Sequence, residues 1–254
     1  ISYDGLLDPL GQSQILPYIF GLRKRGFRFS IISFEKDYRD SSEIKKLDEK
    51  LRAMDISWYL LKFISGGGVK KVLWRIVVGA MAVRRVCRSV KIDFVHLRGF
   101  QSTLIFNCSF VKKPYIYDFR SFVVDEYAEM GFIKSGSFGN RFLRFIDRMM
   151  IKNMAALVTL ERSAEKRLRE NYTLPDVPTC FVRTSTDCNK YFPRTINTDD
   201  NKIRFVHLGG ALFPPYQVDT ILEFVNRFSE VFSGVSISFF NEGQHNQIAD
   251  AVER

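Results

Sequence analysis

Residues 2–14 read Ser-Tyr-Asp-Gly-Leu-Leu-Asp-Pro-Leu-Gly-Gln-Ser-Gln; an apolar-periodic segment follows to Gly26, and residues 28–34 read Arg-Phe-Ser-Ile-Ile-Ser-Phe. The pattern is that of a strand end, a tight loop, a helix and a second strand. In such a unit the loop leaves the carboxyl end of a strand, and the free N–H groups of the helix start face the crevice there, where an anion is the natural occupant. Gly5 and Gly11 allow a sharp turn or a close approach, Pro9 stiffens the bend, and Gln12 or Ser13 can satisfy the helix start. On residue types alone an ordinary strand-to-helix turn fits equally well.

Outward from this stretch, strands and helices alternate. Helices are expected over Ser41 to Met54, Val69 to Val90, Ser102 to Phe110, Asn140 to Met154 and Ser163 to Asn171. Strands are expected over Ile56 to Leu61, Asp93 to Leu97, Pro114 to Phe119, Ala156 to Leu160 and Thr179 to Val182. Residues 121–139, rich in glycine, read as loop. In the helix Asn140 to Met154, Phe142, Phe145, Ile146, Met149 and Met150 share one face, the side expected to pack. Residues 191–201 read as a linker, followed by strand Lys202 to Leu208, helix Val218 to Phe232 and strand Val235 to Phe240. The fold class is therefore α/β: a doubly wound parallel sheet, Rossmann-like, over residues 1–190, and an incomplete second Rossmann-like domain over 202–254.

Hydrophobic residues make up 46% of the 254 and charged residues 26%, and the formal net charge is +10. The excess points to an anionic partner such as a nucleotide or an acidic lipid surface. It is concentrated: no acid lies between Asp55 and Asp93, while Lys62, Lys70, Lys71, Arg75, Arg84, Arg85, Arg88 and Lys91 do. Cys87, Cys108, Cys180 and Cys188 lack a Cys-x-x-Cys spacing and read as reduced, cytosolic cysteines. Three scattered histidines, His96, His207 and His245, do not make a zinc site, and no metal is expected.

The run Ser-Tyr-Asp-Gly-x-x-Asp-Pro-Leu-Gly-Gln-Ser-Gln-x-Leu-Pro-Tyr from Ser2, continued by Gly-Leu-x-x-Arg-Gly and Ile-Ser-Phe-Glu ending at Glu35, resembles the opening of a subgroup of family-4 retaining glycosyltransferases with the GT-B fold. The resemblance implies a bacterial enzyme of cell-envelope polysaccharide synthesis. It would move a hexose from a nucleoside diphosphate sugar to a lipid-linked or glycan acceptor, with no cofactor. It implies that the first domain holds the acceptor, with Asp8, Gly11, Gln12, Arg98 and Glu126 as binding residues. Asp118 and Arg120, at a strand end, become the catalytic candidates, Arg120 standing where the family often carries a histidine; an ordinary surface pair is the alternative. His96 and Arg98 end the preceding strand and face the same crevice, though such a histidine is often structural. Gly209 and Gly210 fall in the donor diphosphate loop, here without the arginine and lysine that many relatives place there.

Two further departures matter. Thr184 to Phe192 resembles the family's crossover between domains, with Asp187 and Phe192 matching and Arg183, Thr184 and Ser185 replacing Pro-Asn-Gly. The family's two late glutamates, with seven residues between them, have no counterpart in the second domain. Glu35 and Glu43 share that spacing but are read as chance, part of a solvated helix after the second strand. These residues alone are therefore expected to be inactive.

On a helical wheel, Val72, Ile76, Val83, Val86 and Val90 of the long basic helix share the face expected to pack. Lys70, Lys71, Arg84, Arg85 and Arg88 lie opposite, with Trp74, Val78 and Met81 among them. Cations around an indole suit an anionic membrane, and the expected location is peripheral, at the cytoplasmic face of the membrane. A non-catalytic module that docks on anionic membrane or nucleic acid through this helix, or a plainly solvated helix, is the alternative; no RNA or DNA module accompanies it, and no nucleic acid partner is expected of the enzyme.

Overall fold

Two runs of parallel strands meet at one residue. β1 (Phe29–Lys36) pairs with β2 (Ile56–Phe63), and β3 (Val95–Arg98), β4 (Tyr115–Phe119), β5 (Ala156–Thr159) and β6 (Thr179–Phe181) pair in sequence. Ser2 bridges both Ser33 of β1 and Arg98 of β3, with its N–H donating to Ile32 O at 2.9 Å and Arg98 N–H donating to Ile1 O at 3.1 Å. The result is one parallel sheet of order β2, β1, Ser2, β3, β4, β5, β6. Strand order reverses between Ser2 and β3, so the crevice at their carboxyl ends is the place where open α/β sheets bind ligands.

The structure is a computed structural model that describes residues 1–36, 40–65, 68–185, 188, 192, 202–209, 218–241 and 245–252. Its contacts divide the chain into two units, Ile1–Asp187 and Cys188–Arg254. Asp187, Gly210 and all of 191–201 except Phe192 lie outside the described residues.

In the first unit, both faces of the sheet are covered. A π turn, Gly11–Ile15, runs into α1 (Leu16–Arg23), and with α2 (Ser41–Ala53) it packs Leu6, Ile15, Leu16, Ile19, Leu47 and Leu51 on Ile31 and Ile56. On the other face, α3 (Val69–Ser89), α4 (Gly99–Cys108), α6 (Phe138–Lys152) and α7 (Arg162–Asn171) bring Val83, Val86, Ile105, Phe106, Ile151 and Leu168 against Ile32, Phe34, Leu97 and Tyr117. This division follows from right-handed crossovers on either side of the reversal. The second unit pairs β7 (Ile203–Leu208) with β8 (Val235–Phe240) in parallel and packs Phe205 on Phe224 and Phe228 of α8 (Val218–Ser229). α9 (His245–Val252) adds Ile248 beside Val218.

Several expectations are corrected. Residues 121–139 hold a helix, α5 (Val123–Glu129), too short for its periodicity to stand out, and α9 was not foreseen. Glu35 does not lie on a solvated helix: it sits in β1, buried, where its carboxylate accepts from Leu6 N–H at 2.6 Å, Leu7 N–H at 3.3 Å and the Ser33 hydroxyl at 2.8 Å. Val72 and Val90 of α3 are exposed, and Arg75 takes the buried position, its guanidinium over the Phe63 ring at 4.5 Å and near Ile64 O at 3.3 Å. On α6, Phe142, Phe145 and Met149 face outward while Met150 is buried and Ile146 packs beside it.

The loop after Ser2 is held by its own backbone. A Cβ at Gly11 would stand 2.2 Å from Gly5 O and 2.6 Å from Leu6 Cα, atoms that cannot step aside. Gly11→Ala is therefore expected to destabilise the chain by about 3 kcal/mol. Gly21→Ala, at an open site within α1, should instead gain about 1 kcal/mol through helix propensity. Urea unfolding of the two variants beside the parent chain checks both signs.

Candidate functional site

Asp118 is the last residue but one of β4 and pairs in register with Arg98, the last of β3. Strand alternation aims His96 and Arg98 to one face, and α4 begins at once because Gly99, at φ 76°, makes the turn that a side chain would resist. Around the buried Asp118 carboxylate stand His96 Nε2 at 3.2 Å, Arg120 Nε at 3.1 Å and an Arg98 terminal nitrogen at 4.0 Å. These are ion-pair distances whose angles fall short of hydrogen bonds. Among the described residues, His96 Nε2, Arg98 Nε, Arg120 Nε and Asp118 Oδ1 are buried without a hydrogen-bond partner.

Arg98 ties the cluster to the loop of residues 3–14. Its Nε lies 3.6 Å from Asp4, and a terminal nitrogen donates to Gln14 Oε1 at 2.8 Å. Tyr18 of α1 closes edge-on against His96. Burial alone would raise the Asp118 pKa, but His96, Arg120 and Arg98 together outweigh it and hold the carboxyl below its usual value. Burial pulls Arg120 down from its ordinary value, opposed by Asp118; an arginine stays charged under such a shift. The cluster thus offers a fixed carboxylate, which can accept from a hydroxyl, beside two guanidinium forks, which suit phosphate or carboxylate oxygens.

The sequence candidates separate into groups. Asp118, Arg120 and Arg98 come together, and His96 joins them. Asp8 turns its carboxylate into the loop, accepting from Gly5 N–H at 3.3 Å and pairing with Lys36 at 3.1 Å. Gln12 donates to Leu6 O at 2.8 Å, and Gly11 packs on the same backbone. These residues set the shape of the loop. Glu126 lies on α5 and accepts from the Ser121 hydroxyl at 3.1 Å. Gly209 stands at the end of β7, φ 119°, with its N–H donating to Phe240 O. Of the basic set on α3, Lys71 donates to Ser65 O, and Arg84 donates to Ser109 O and stacks over Phe110. Lys70, Trp74, Arg85 and Arg88 are exposed.

Sequence reading missed three contributors. Glu35 was dismissed, and Asp4 and Gln14 were passed over although they flank the loop. Glu35 carried a signal, a carboxylate at the end of a run that is otherwise all buried strand. Trp58 adds to its support by donating from Nε1 to the Ser33 hydroxyl at 2.8 Å.

No family model matches the chain, and no curated protein matches it. Among solved structures it is similar to sucrose-phosphate synthase from Thermosynechococcus elongatus, with 11% identity and a TM-score of 0.54. It is also similar to Anabaena HepE in complex with UDP and glucose, with 10% identity and a TM-score of 0.51. In both cases the match covers 89% of this chain and 65% of the other. What the chain shares with both is the fold, an α/β arrangement of parallel sheets.

Because the folded Asp118 pKa is depressed, its ionisation stabilises the fold. That contribution is complete above about pH 4, the ordinary aspartate value, and fades as pH falls through the lower folded value. Asp118→Asn leaves two guanidinium groups facing a neutral amide, and a loss of about 2 kcal/mol at neutral pH is expected. Thermal melts of parent and variant should differ at pH 7 and converge in acid.

Proposed function

We propose that the chain takes part in glycosyl transfer from a nucleoside diphosphate sugar, of the kind whose UDP and glucose parts accompany HepE. The first unit is the acceptor side. The observation that carries this reading is the site at the strand-order reversal, where Asp118, Arg98 and Arg120 meet the glycine loop at the carboxyl ends of β3 and β4.

In this reading Asp118 accepts a hydrogen bond from the acceptor hydroxyl and so orients it. Its depressed pKa makes it a poor proton donor and a weak base, so its work is positioning. Arg98 and Arg120 hold acidic oxygens, either of the acceptor or of the leaving diphosphate, in a site from which water is largely withdrawn. Asp8, Gly11 and Gln12 act through the shape of the loop, and Gly209 with Gly210 forms the donor side. Membership of family 4, retention of configuration, a hexose as the moved sugar and a lipid-linked or polysaccharide acceptor in the bacterial envelope belong to the same proposal.

Binding is the suitable readout, because the chain spans about 65% of the length of its structural neighbours. Saturation-transfer NMR with neutral, carboxylated and diphosphate-bearing glycans should show contact with at least one class. Arg98→Gln and Arg120→Gln should each weaken that contact roughly tenfold, as for loss of a charged hydrogen bond. A chain that contacts no glycan, or whose contacts survive both substitutions, overturns the assignment.

A further inference from the structure

α6 buries a mixed face and exposes an aromatic one. Beside the buried Met150 and Ile151, its inward face carries polar groups: Asn140 and Asp147 are buried, Tyr172 donates to Asp147 at 2.6 Å, and Arg144 and Arg167 both pair with Asp125. Its outward face carries Phe138, Phe142, Phe145 and Met149, which are 86%, 52%, 60% and 43% exposed. At 3.6 residues per turn these four fall within an arc of about 60°. Arg141, Arg148 and Lys152, all exposed, fill the adjoining arc, and no acid points outward from the helix.

We infer that this outward face of α6 is a docking surface for an anionic lipid bilayer. The helix would lie in the interface plane, with its rings and Met149 below the headgroups and its row of cations among them. Charge complementarity selects this occupant. The rings and the cations run parallel along the helix, as a flat charged surface over an apolar layer requires, and the whole chain carries +10. A second copy of the chain, docked antiparallel by a two-fold axis across the helix, would bring the row of cations toward its own image. Nucleic acid is the poorer match, since the face lacks the hydroxyl and amide side chains that commonly hydrogen-bond phosphates and bases.

The surface is wider than α6. α4 packs against both α3 and α6, so the three lie side by side on one face of the sheet. α3 adds exposed Leu73, Trp74, Val77 and Met81 with Lys70, Arg85 and Arg88. The turn before α6 adds exposed Phe132. None of this depends on sugar transfer.

The test is co-sedimentation of the chain with vesicles of phosphatidylcholine, with and without phosphatidylglycerol, at two salt concentrations. Binding to the anionic vesicles is expected. The double change Phe142→Ser with Phe145→Ser should lower it at least tenfold. The triple change Arg141→Gln, Arg148→Gln, Lys152→Gln should lower it about fivefold per cation and flatten its salt dependence. These side chains leave the core untouched, and unchanged circular dichroism melts confirm that the variants fold. The inference is overturned if the parent ignores anionic vesicles or if the aromatic variant binds as the parent does. It is overturned equally if only Lys70→Gln, Arg85→Gln and Arg88→Gln on α3 reduce binding, if RNA alone is bound, or if the face proves to hold a dimer that the aromatic variant dissolves.

Discussion

A single extended residue joins the two halves of the principal sheet. Without the bridges of Ser2 to Ser33 and Arg98, β1 and β2 would form a separate pair, and each run of strands would leave an unpaired edge. Because Ser2 lies at the reversal of strand order, the segment that closes the sheet also delivers the loop that lines the crevice. Sheet closure and site geometry are therefore one constraint. Glu35 fixes the loop from below: it takes two of its N–H groups, and Ser33 and Trp58 hold the carboxylate in turn. Gly11 fixes it from the side through backbone contact. A loop pinned in this way presents a preformed wall and has little ordering entropy left to lose when a ligand arrives.

Charge balance explains the rest of the site. Asp118 would be costly to bury alone, and the arginines at the ends of β3 and just past β4 offset that cost. The balance is incomplete in geometry, since the facing nitrogens lack hydrogen-bond partners. Buried donors held at ion-pair distance without an acceptor in line form a site that gains when an oxygen-rich ligand completes them. In the proposed function, recognition would rest with the guanidinium groups and orientation with the carboxylate.

Much of this was legible in sequence. The alternation of strands and helices, most boundaries to within a few residues, and the meeting of Arg98, Asp118 and Arg120 followed from periodicity and from strand ends lying together. Failures occurred where a polar side chain has a specific buried partner. Arg75, Glu35 and Asp147 all break the rule that charge faces water, because an aromatic face, a pair of backbone N–H groups and a tyrosine hydroxyl satisfy them. A pattern of residue types cannot register such partners, which come from other elements, 12 to 29 residues away in the chain. The loop after β7 is described only as far as Gly209, and Gly210 lies outside the described residues.

α6 shows the same limit from the other direction. Its periodicity located Phe142, Phe145 and Met149 on one stripe but grouped with them Ile146 and Met150, which pack inward, and did not say which way the stripe faces. The usual inference, that the stripe faces the core, assumes that the opposite side has nothing better to bury. Here the opposite side carries Asn140, Arg144 and Asp147 beside Met150 and Ile151; Arg144 donates to Asn140 Oδ1 and pairs with Asp125 of α5, and Asp147 accepts from Tyr172 just past α7. Rotating the helix to hide Phe138, Phe142 and Phe145 would break that network and leave a charge unpaired, at a cost of several kcal/mol. It would recover about 2 kcal/mol for each ring buried. It would also expose Met150 and Ile151, which are buried as the helix stands, so the observed orientation keeps both the inner network and these apolar contacts and leaves the rings at the surface.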